Sequence, residues 1–392
     1  MEFFLPRITT DYNSCNPWQK KLPPRFIRNI GRYNQYIIYF SQMKNQGAIV
    51  STIVLLIVFA GCTKNDTINL PPQPPVINIS PPADFGFKVV GYFPYYRDPA
   101  TVPDVKFRMT NVVNYAFFTI NASGDLILNN PAVFTIVVSK SKLNNAKIFM
   151  SISGNETDFK NMAATAPGRN NFIKQIMNNV RQYQLSGVDM DWEFPRTTDG
   201  TDISFTTLMK ELSDSCHRDA KYYLTAAITP GKYPGAIRDA IKNEVFNYVD
   251  WFNVMAYDDF NTTVPYQHHS DFTLAQTSVN YWITTRGMPK NKFVLGIPAY
   301  GRPSGISQTN TVLSYAQILS QGGSSQSDSA TVMSAGTPTP YTIYYNGQAT
   351  AKKKAMLAKQ SGNGVMMWEK WHDSHDATSL LKAVCDTIGR PY

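Results

Sequence analysis

The stretch Leu185-Ser186-Gly187-Val188-Asp189-Met190-Asp191-Trp192-Glu193-Phe194-Pro195 carries a carboxylate at every second position: Asp189, Asp191 and Glu193. Alternate side chains of a strand share a face, so the three acids line one side while Met190 and Trp192 line the other. A helix would scatter the acids over its faces, and Pro195 would end it. Gly187 and Pro195 bound a short strand. Ordinary packing does not explain three like charges on one buried face. Crowded carboxyls do push their pKa values apart, so one can keep a proton near neutral pH while its neighbours ionise. A general acid for glycoside cleavage needs that property. The competing readings are a metal-binding strand and a solvated acidic edge. Trp192, Phe194 and Pro195 argue against an open, solvated face.

The chain of 392 residues has room for one large domain or two modest ones. Its formal charge of +9 is unevenly spread: residues 1–61 hold seven Lys/Arg and two acids, leaving +4 for the rest. No basic, aromatic-interleaved patch marks a nucleic-acid partner. Cys15, Cys62, Cys216 and Cys385 show neither metal spacing nor a disulfide framework. Cys62 stands apart. It follows Met43-Lys44-Asn45, the apolar run Ala48–Ala60 and Gly61, the pattern of an export signal. The run is too short for a comfortable membrane span. Phe59-Ala60-Gly61-Cys62 looks like a bacterial lipobox with an imperfect first position, which makes a lipid-modified Cys62 the expected mature N-terminus. Residues 43–61 are then the signal, and Met43 is the natural start. Residues 1–42 read as an extension from a start codon placed too far upstream, with a genuine leader or short second domain as the alternative. Detection of residues 1–42 in the mass of the native protein would exclude the upstream-start reading. Residues 62–84, with Pro71-Pro72-Gln73-Pro74-Pro75 and Pro81-Pro82, read as a semi-rigid tether. The resulting expectation is an exported protein, lipid-anchored to the bacterial cell envelope at the outer membrane or cell surface.

From Phe85 onward, apolar runs alternate with longer amphipathic segments, which predicts a parallel sheet with covering helices. The expected strands are Lys88–Tyr92, Asn111–Phe118, Lys147–Ile152, Gly187–Trp192, Tyr223–Ile228, Trp251–Met255, Phe293–Ile297 and Gly364–Trp368. Phe172, Ile173, Ile176, Val180 and Tyr183 form a helical face leading into the acid strand. Eight strands fit a (β/α)8 barrel with its site at the C-terminal strand ends. A doubly wound open sheet shares the alternation.

The acid run closely resembles the signature of glycoside hydrolase family 18, the chitinase family, which reads Asp-Gly-x-Asp-x-Asp-x-Glu. Gly187, Asp189, Asp191 and Glu193 match, and Ser186 replaces the first Asp. Asn114-Tyr115-Ala116-Phe117-Phe118 resembles the second strand of that family. Lys147–Gly154 resembles its Ser-x-Gly-Gly strand, with Ser153 replacing a Gly. Asn253-Val254-Met255-Ala256-Tyr257-Asp258 resembles its Met-x-Tyr-Asp strand, and Gly364–Glu369 its last strand. The resemblance covers essentially all of 87–392. It implies an α/β architecture, a (β/α)8 TIM barrel over 85–392, with at most a short insertion between strands seven and eight.

The resemblance also implies a mechanism in which the substrate's own acetamido group is the nucleophile. Glu193 protonates the leaving oxygen, Asp191 steadies the oxazolinium, and Tyr257 holds the acetamido oxygen. Asp189 shares a proton with Asp191, letting that residue turn between partners. Trp368 is the floor under the sugar; Asp258, Met255, Tyr92, Phe118, Tyr300 and Arg302 are the further expected contacts. Neither metal nor organic cofactor is required. The implied partner is chitin or N-acetylglucosamine oligosaccharides, bound by a monomer. An endo-β-N-acetylglucosaminidase acting on N-glycans shares the fold and acids, and a carbohydrate-binding lipoprotein without turnover is the non-enzymatic alternative. Ser186 is expected to support the strand's base. Ser153 either tightens packing beneath the acids or donates to Asp189. His268-His269 and His372-Asp373-Ser374-His375 lack helical zinc spacing and read as loop residues. The short, Ser/Gly/Thr-rich segment at about 303–345 predicts a shallow, open cleft and endo-type cleavage.

Overall fold

The computed structural model describes residues 78–392. The expected upstream extension (1–42), signal (43–61), lipidated Cys62 and most of the tether lie outside them. Eight parallel strands close into a barrel: β1 Lys88–Pro94, β2 Val112–Ile120, β3 Lys147–Gly154, β4 Gly187–Met190, β5 Tyr223–Ile228, β6 Trp251–Val254, β7 Phe293–Pro298 and β8 Gly364–Trp368. β1 pairs with β2 on one side (Val90 with Val112) and with β8 on the other (Lys88 with Gly364), so the ring has no edge. A short strand, Leu126–Leu128, adds antiparallel to the end of β2. Period-2 alternation divides each strand between two apolar layers. On β1, Val89 and Phe93 face the helices, while Val90 and Tyr92 face the barrel interior with Val112, Phe149, Trp251 and Met366.

The helix Ala166–Gln182 shows how the acid strand is delivered. Thr165 caps it by accepting from the Gly168 N–H, and Phe172, Ile173, Ile176, Met177 and Val180 form its buried stripe. It stops at Tyr183 and Gln184, where φ turns to +52°. The Leu185 N–H returns to the Val180 carbonyl at 2.9 Å, a Schellman closure that points the chain into β4. Ser186 follows at the base of that strand. Its N–H donates to Ile148 O (2.8 Å) and its carbonyl accepts from Tyr223 N (3.1 Å), tying β4 between β3 and β5.

Two boundaries differ from expectation. The tether's last residues are bound to the barrel: the Ser80 N–H donates to His217 O (3.1 Å) and the Asp219 N–H to Asn78 O (2.8 Å). Phe85 then packs edge-on against Tyr223 and Trp251. Between β7 and β8, the polar segment is folded rather than plain loop. Tyr300–Pro303, Leu313–Ser314, Ser329–Ser334 and Thr337–Tyr344 make a small antiparallel sheet, with the helix Tyr315–Ser320 alongside. It remains the short insertion expected.

Candidate active site

The acids take the alternating arrangement their spacing predicts, although β4 is shorter than expected. The ladder bond from Asp191 N to Ile152 O (2.9 Å) keeps the chain extended past Met190. Trp192 turns outward and stacks on Phe159, ring centroids 5.0 Å apart, while the carboxyls turn in. They form a gradient of depth: Asp189 is fully buried, Asp191 is 4% exposed, and Glu193 reaches the mouth, where only part of it meets solvent.

Asp189 is saturated with donors. One oxygen accepts from Thr225 Oγ1 (2.5 Å) and Asn253 Nδ2 (3.0 Å), the other from Tyr92 Oη and Ser151 Oγ (both 2.7 Å). Ser151, Asp189 and Thr225 are direct neighbours across β3, β4 and β5. Four donors fill the four lone-pair positions of a carboxylate. Burial pushes the pKa of Asp189 upward, and the four hydrogen bonds oppose that rise. Asp191 has no such shell, and its Oδ1 is buried without a partner. Burial, the neighbouring Glu193 charge and then the Asp189 charge hold its pKa well above the usual aspartate range, and it hydrogen-bonds to Glu193. Glu193 is itself raised, first by burial, with the bond from Asp191 opposing and the Asp258 charge adding. Both shifts run upward, so the upper two acids favour a proton on the pair. For Asp191 to turn toward Asp189, one of the four donors there must give way.

Tyr92, Phe117, Ser153, Asp191, Glu193, Ala227, Met255, Tyr257, Asp258 and Trp368 enclose a cavity of about 230 Å³. Trp368 is its aromatic wall, stacked on Phe117 (5.7 Å, 21° between planes) and met edgewise by Tyr92 (5.5 Å). A second hollow of about 340 Å³ shares Glu193, Met255, Tyr257 and Asp258, and continues past Phe194, Lys232, Tyr233 and Arg238. Glu193 thus stands between two connected spaces, the position of a group acting on a bond that spans both. Tyr257 and Asp258 follow β6 in a tight turn. The Tyr257 ring packs so closely over β7 that a Cβ on Gly296 would lie 2.8 Å from it and 2.5 Å from Val254 O. Asp258 is left-handed (φ +62°). Burial raises its pKa, but bonds from His269 and Arg302 outweigh burial and hold it well below the usual range.

Several expected contacts sit elsewhere. Phe118 does not face the cavity: it is fully buried behind the sheet against Tyr115 and Phe134. A bulge explains the exchange. Ala116 pairs with Ser151 and Phe118 with the next residue, Ile152, so Phe117 is extra and turns inward in its place. Tyr300 and Arg302 do not line the cavity either. Tyr300 Oη donates to Asp258 Oδ1 (2.5 Å) and Arg302 grips both carboxylate oxygens (2.5 and 3.1 Å), so they orient Asp258. Ser153 lines the cavity, and the donor to Asp189 is Ser151. His268 and His269 lie in the loop after β6, and His372 in a short turn after β8 beside Arg97. Ser151, Thr225, Asn253, Phe117 and Ala227 were not singled out from sequence. For Thr225 and Asn253 a signal existed, a lone polar residue inside an otherwise apolar strand, and Ser151 shares its strand with Ser153. Ala116–Phe117, at the bulge within β2, and Glu193–Phe194 and Trp368–Glu369, beyond β4 and at the end of β8, are cis peptides.

A closed parallel barrel with stacked carboxyls beside an aromatic wall at its C-terminal mouth defines a chain of the glycoside hydrolase class. Residues 88–373 match the profile described as Glycosyl hydrolases family 18, and the chain belongs to that family. It is similar to Probable chitinase 10 of Drosophila melanogaster (27% identical over 280 residues; 62% of this chain, 12% of the relative). Chitotriosidase-1 of Mus musculus is 25% identical over 242 residues (55% of this chain, 50% of the relative). The chain therefore spans half or less of these curated relatives. Among solved structures, the GH18 chitinase ChiB from the chitin utilization locus of Flavobacterium johnsoniae is 28% identical. The match covers 77% of this chain and 94% of that one, with a TM-score of 0.63.

Proposed function

We propose that this protein hydrolyses β-1,4-linked N-acetylglucosamine polymers and oligomers, chitin and its fragments, with retention and by substrate assistance. The carrying observation is the placement of Glu193 above buried Asp191 where two hollows meet, one of them walled by Trp368; burial raises the pKa of both acids and so favours a proton on the pair. Glu193 gives its proton to the glycosidic oxygen as the acetamido oxygen attacks the anomeric carbon and the leaving sugar departs. Asp191 stays beside the resulting oxazolinium, and Tyr257 donates to its oxygen. Water then attacks the anomeric carbon, its bond to the acetamido oxygen breaks and reopens the ring, and the water's proton passes to Glu193. The names of the mouse and Flavobacterium relatives support chitin as the substrate. The small size of the insert between β7 and β8 supports an open cleft and endo-type cleavage of soluble oligomers; release of dimers alone from crystalline chitin would contradict it.

The decisive experiment is hydrolysis of N-acetylglucosamine hexamer by the protein and by Glu193→Gln. Cleavage should fall by about 10²–10⁴-fold in the variant, the usual contribution of a general acid. Binding without cleavage by the wild type would favour a carbohydrate-binding role, and neither would direct attention to N-glycans. Among the described residues, no helix is long and apolar enough to cross a membrane. We place the protein at the bacterial cell envelope through lipidated Cys62, a reading supported by the apolar run before it. A native N-terminal fragment lacking acyl mass at Cys62 would overturn that placement.

A further inference from the structure

Lys354 lies in the middle of the helix Gln348–Ser361, fully buried, and among the described residues no carboxylate is within ion-pair distance of it. Its ammonium has three hydrogens and three neutral acceptors: Ser270 O (2.8 Å), Ser270 Oγ (2.7 Å) and Asn346 Oδ1 (2.7 Å). A buried cation answered only by neutral oxygens is expensive, and packing alone would favour an apolar side chain. What it holds is Ser270. The Ser270 hydroxyl donates onward to Ala256 O at 2.6 Å, in the turn between Met255 and Tyr257. Asn346 Nδ2 holds the Ser270 carbonyl from the other side (2.6 Å). The preceding residue secures the far end of the same turn: the Asp259 N–H donates to His269 O (3.0 Å).

We propose that Lys354 is a positioning residue for the Met255–Asp258 turn, acting through Ser270 to set Tyr257 against the reacting sugar. This rests on the hydrolase reading above. A turn leaving a strand in tight, non-repeating geometry has few ladder bonds of its own, so its position depends on side chains that reach it. The ionisable groups around Lys354 agree with such a design. Burial brings Lys354 down to about 7 while Asp271 and Asp328 favour its charge, and burial first, with the Lys354 charge adding, lowers the pKa of His268 and His269. The charged form alone can satisfy all three acceptors, because a neutral amine has two hydrogens to give.

The test uses the full protein with Lys354→Met, Ser270→Ala and the double variant. Lys354→Met should lower kcat on the hexamer by about tenfold while leaving KM within about twofold, the scale of coupling through a packed network. Ser270→Ala should do the same, and the double variant should be no worse than either alone. Backbone amide exchange over residues 255–259 should accelerate in both single variants, with β1–β3 unchanged. Losses that multiply in the double variant, or an unchanged exchange pattern with unchanged kcat, would overturn the proposal. Should the wild type fail to cleave the hexamer, the hydrolase reading falls, and the exchange pattern alone supports or overturns the role of Lys354. Should Lys354→Met not fold, Ser270→Ala carries the same test.

Discussion

The proton favoured at Asp191 has a stability consequence as well as a chemical one. Its folded-state pKa stands above the ordinary aspartate value of 3.8 because burial, Glu193 and Asp189 all disfavour the charge. A group raised in this way contributes its stability fully below about pH 3.8, and that stability is lost as pH rises toward the folded value. Asp191→Asn removes the titration while keeping the shape. The variant should therefore melt higher than the wild type at pH 8, with the difference shrinking toward pH 4, while its activity falls sharply. Equal shifts in Tm at both pH values would contradict this origin. Burial of the upper acids thus opposes stability and serves chemistry, a familiar exchange at active sites.

At the level of elements, the acid strand fits its place because of what its first residue lacks. A Cβ on Gly187 would lie 2.5 Å from Tyr223 O and 2.8 Å from the Phe149 ring. Gly187→Ala should cost about 1–3 kcal/mol through overpacking, measured by denaturant unfolding, and should lower kcat with it because β4 cannot shift alone. The same strands show what a sequence can and cannot tell. All eight were visible, since apolar runs and the period of the acids are local properties. The exchange of Phe117 for Phe118 was not, because a bulge is a property of the pairing between β2 and β3 and leaves no mark within β2 itself. Ser151, Thr225 and Asn253 were visible as polar interruptions, but their common target became clear only once β3, β5 and β6 stood around β4. Tyr300 and Arg302 were found by their strand, but substrate contact and a structural role were equally open, since an arginine that touches a sugar and one that holds an aspartate look alike in one dimension.

On the scale of the whole molecule, one carboxylate gathers the barrel. Donors to Asp189 come from β1, β3, β5 and β6, and the acid itself from β4, so five of the eight strands meet at one group. An ordinary core residue of this size is replaced most safely by its isostere. Here that rule reverses. Asparagine would match the volume of Asp189 but turn two accepting positions into donating ones. The new amide can face the Tyr92 and Ser151 hydroxyls, leaving the carbonyl to Thr225 and Asn253, but the two hydroxyl hydrogens then lose the acceptor that held them, and Tyr92 Oη already accepts from Asn253 Nδ2 at 3.1 Å. Asp189→Asn should cost about 3 kcal/mol of stability, and its Tm should fall well below that of Asp191→Asn, although both are the same exchange two residues apart. The interior of this barrel has a polarity as definite as its shape: inward-pointing hydrogens around a single negative centre. A substitution that fits the space but not the sign leaves the strands correctly spaced and facing a partner that repels them.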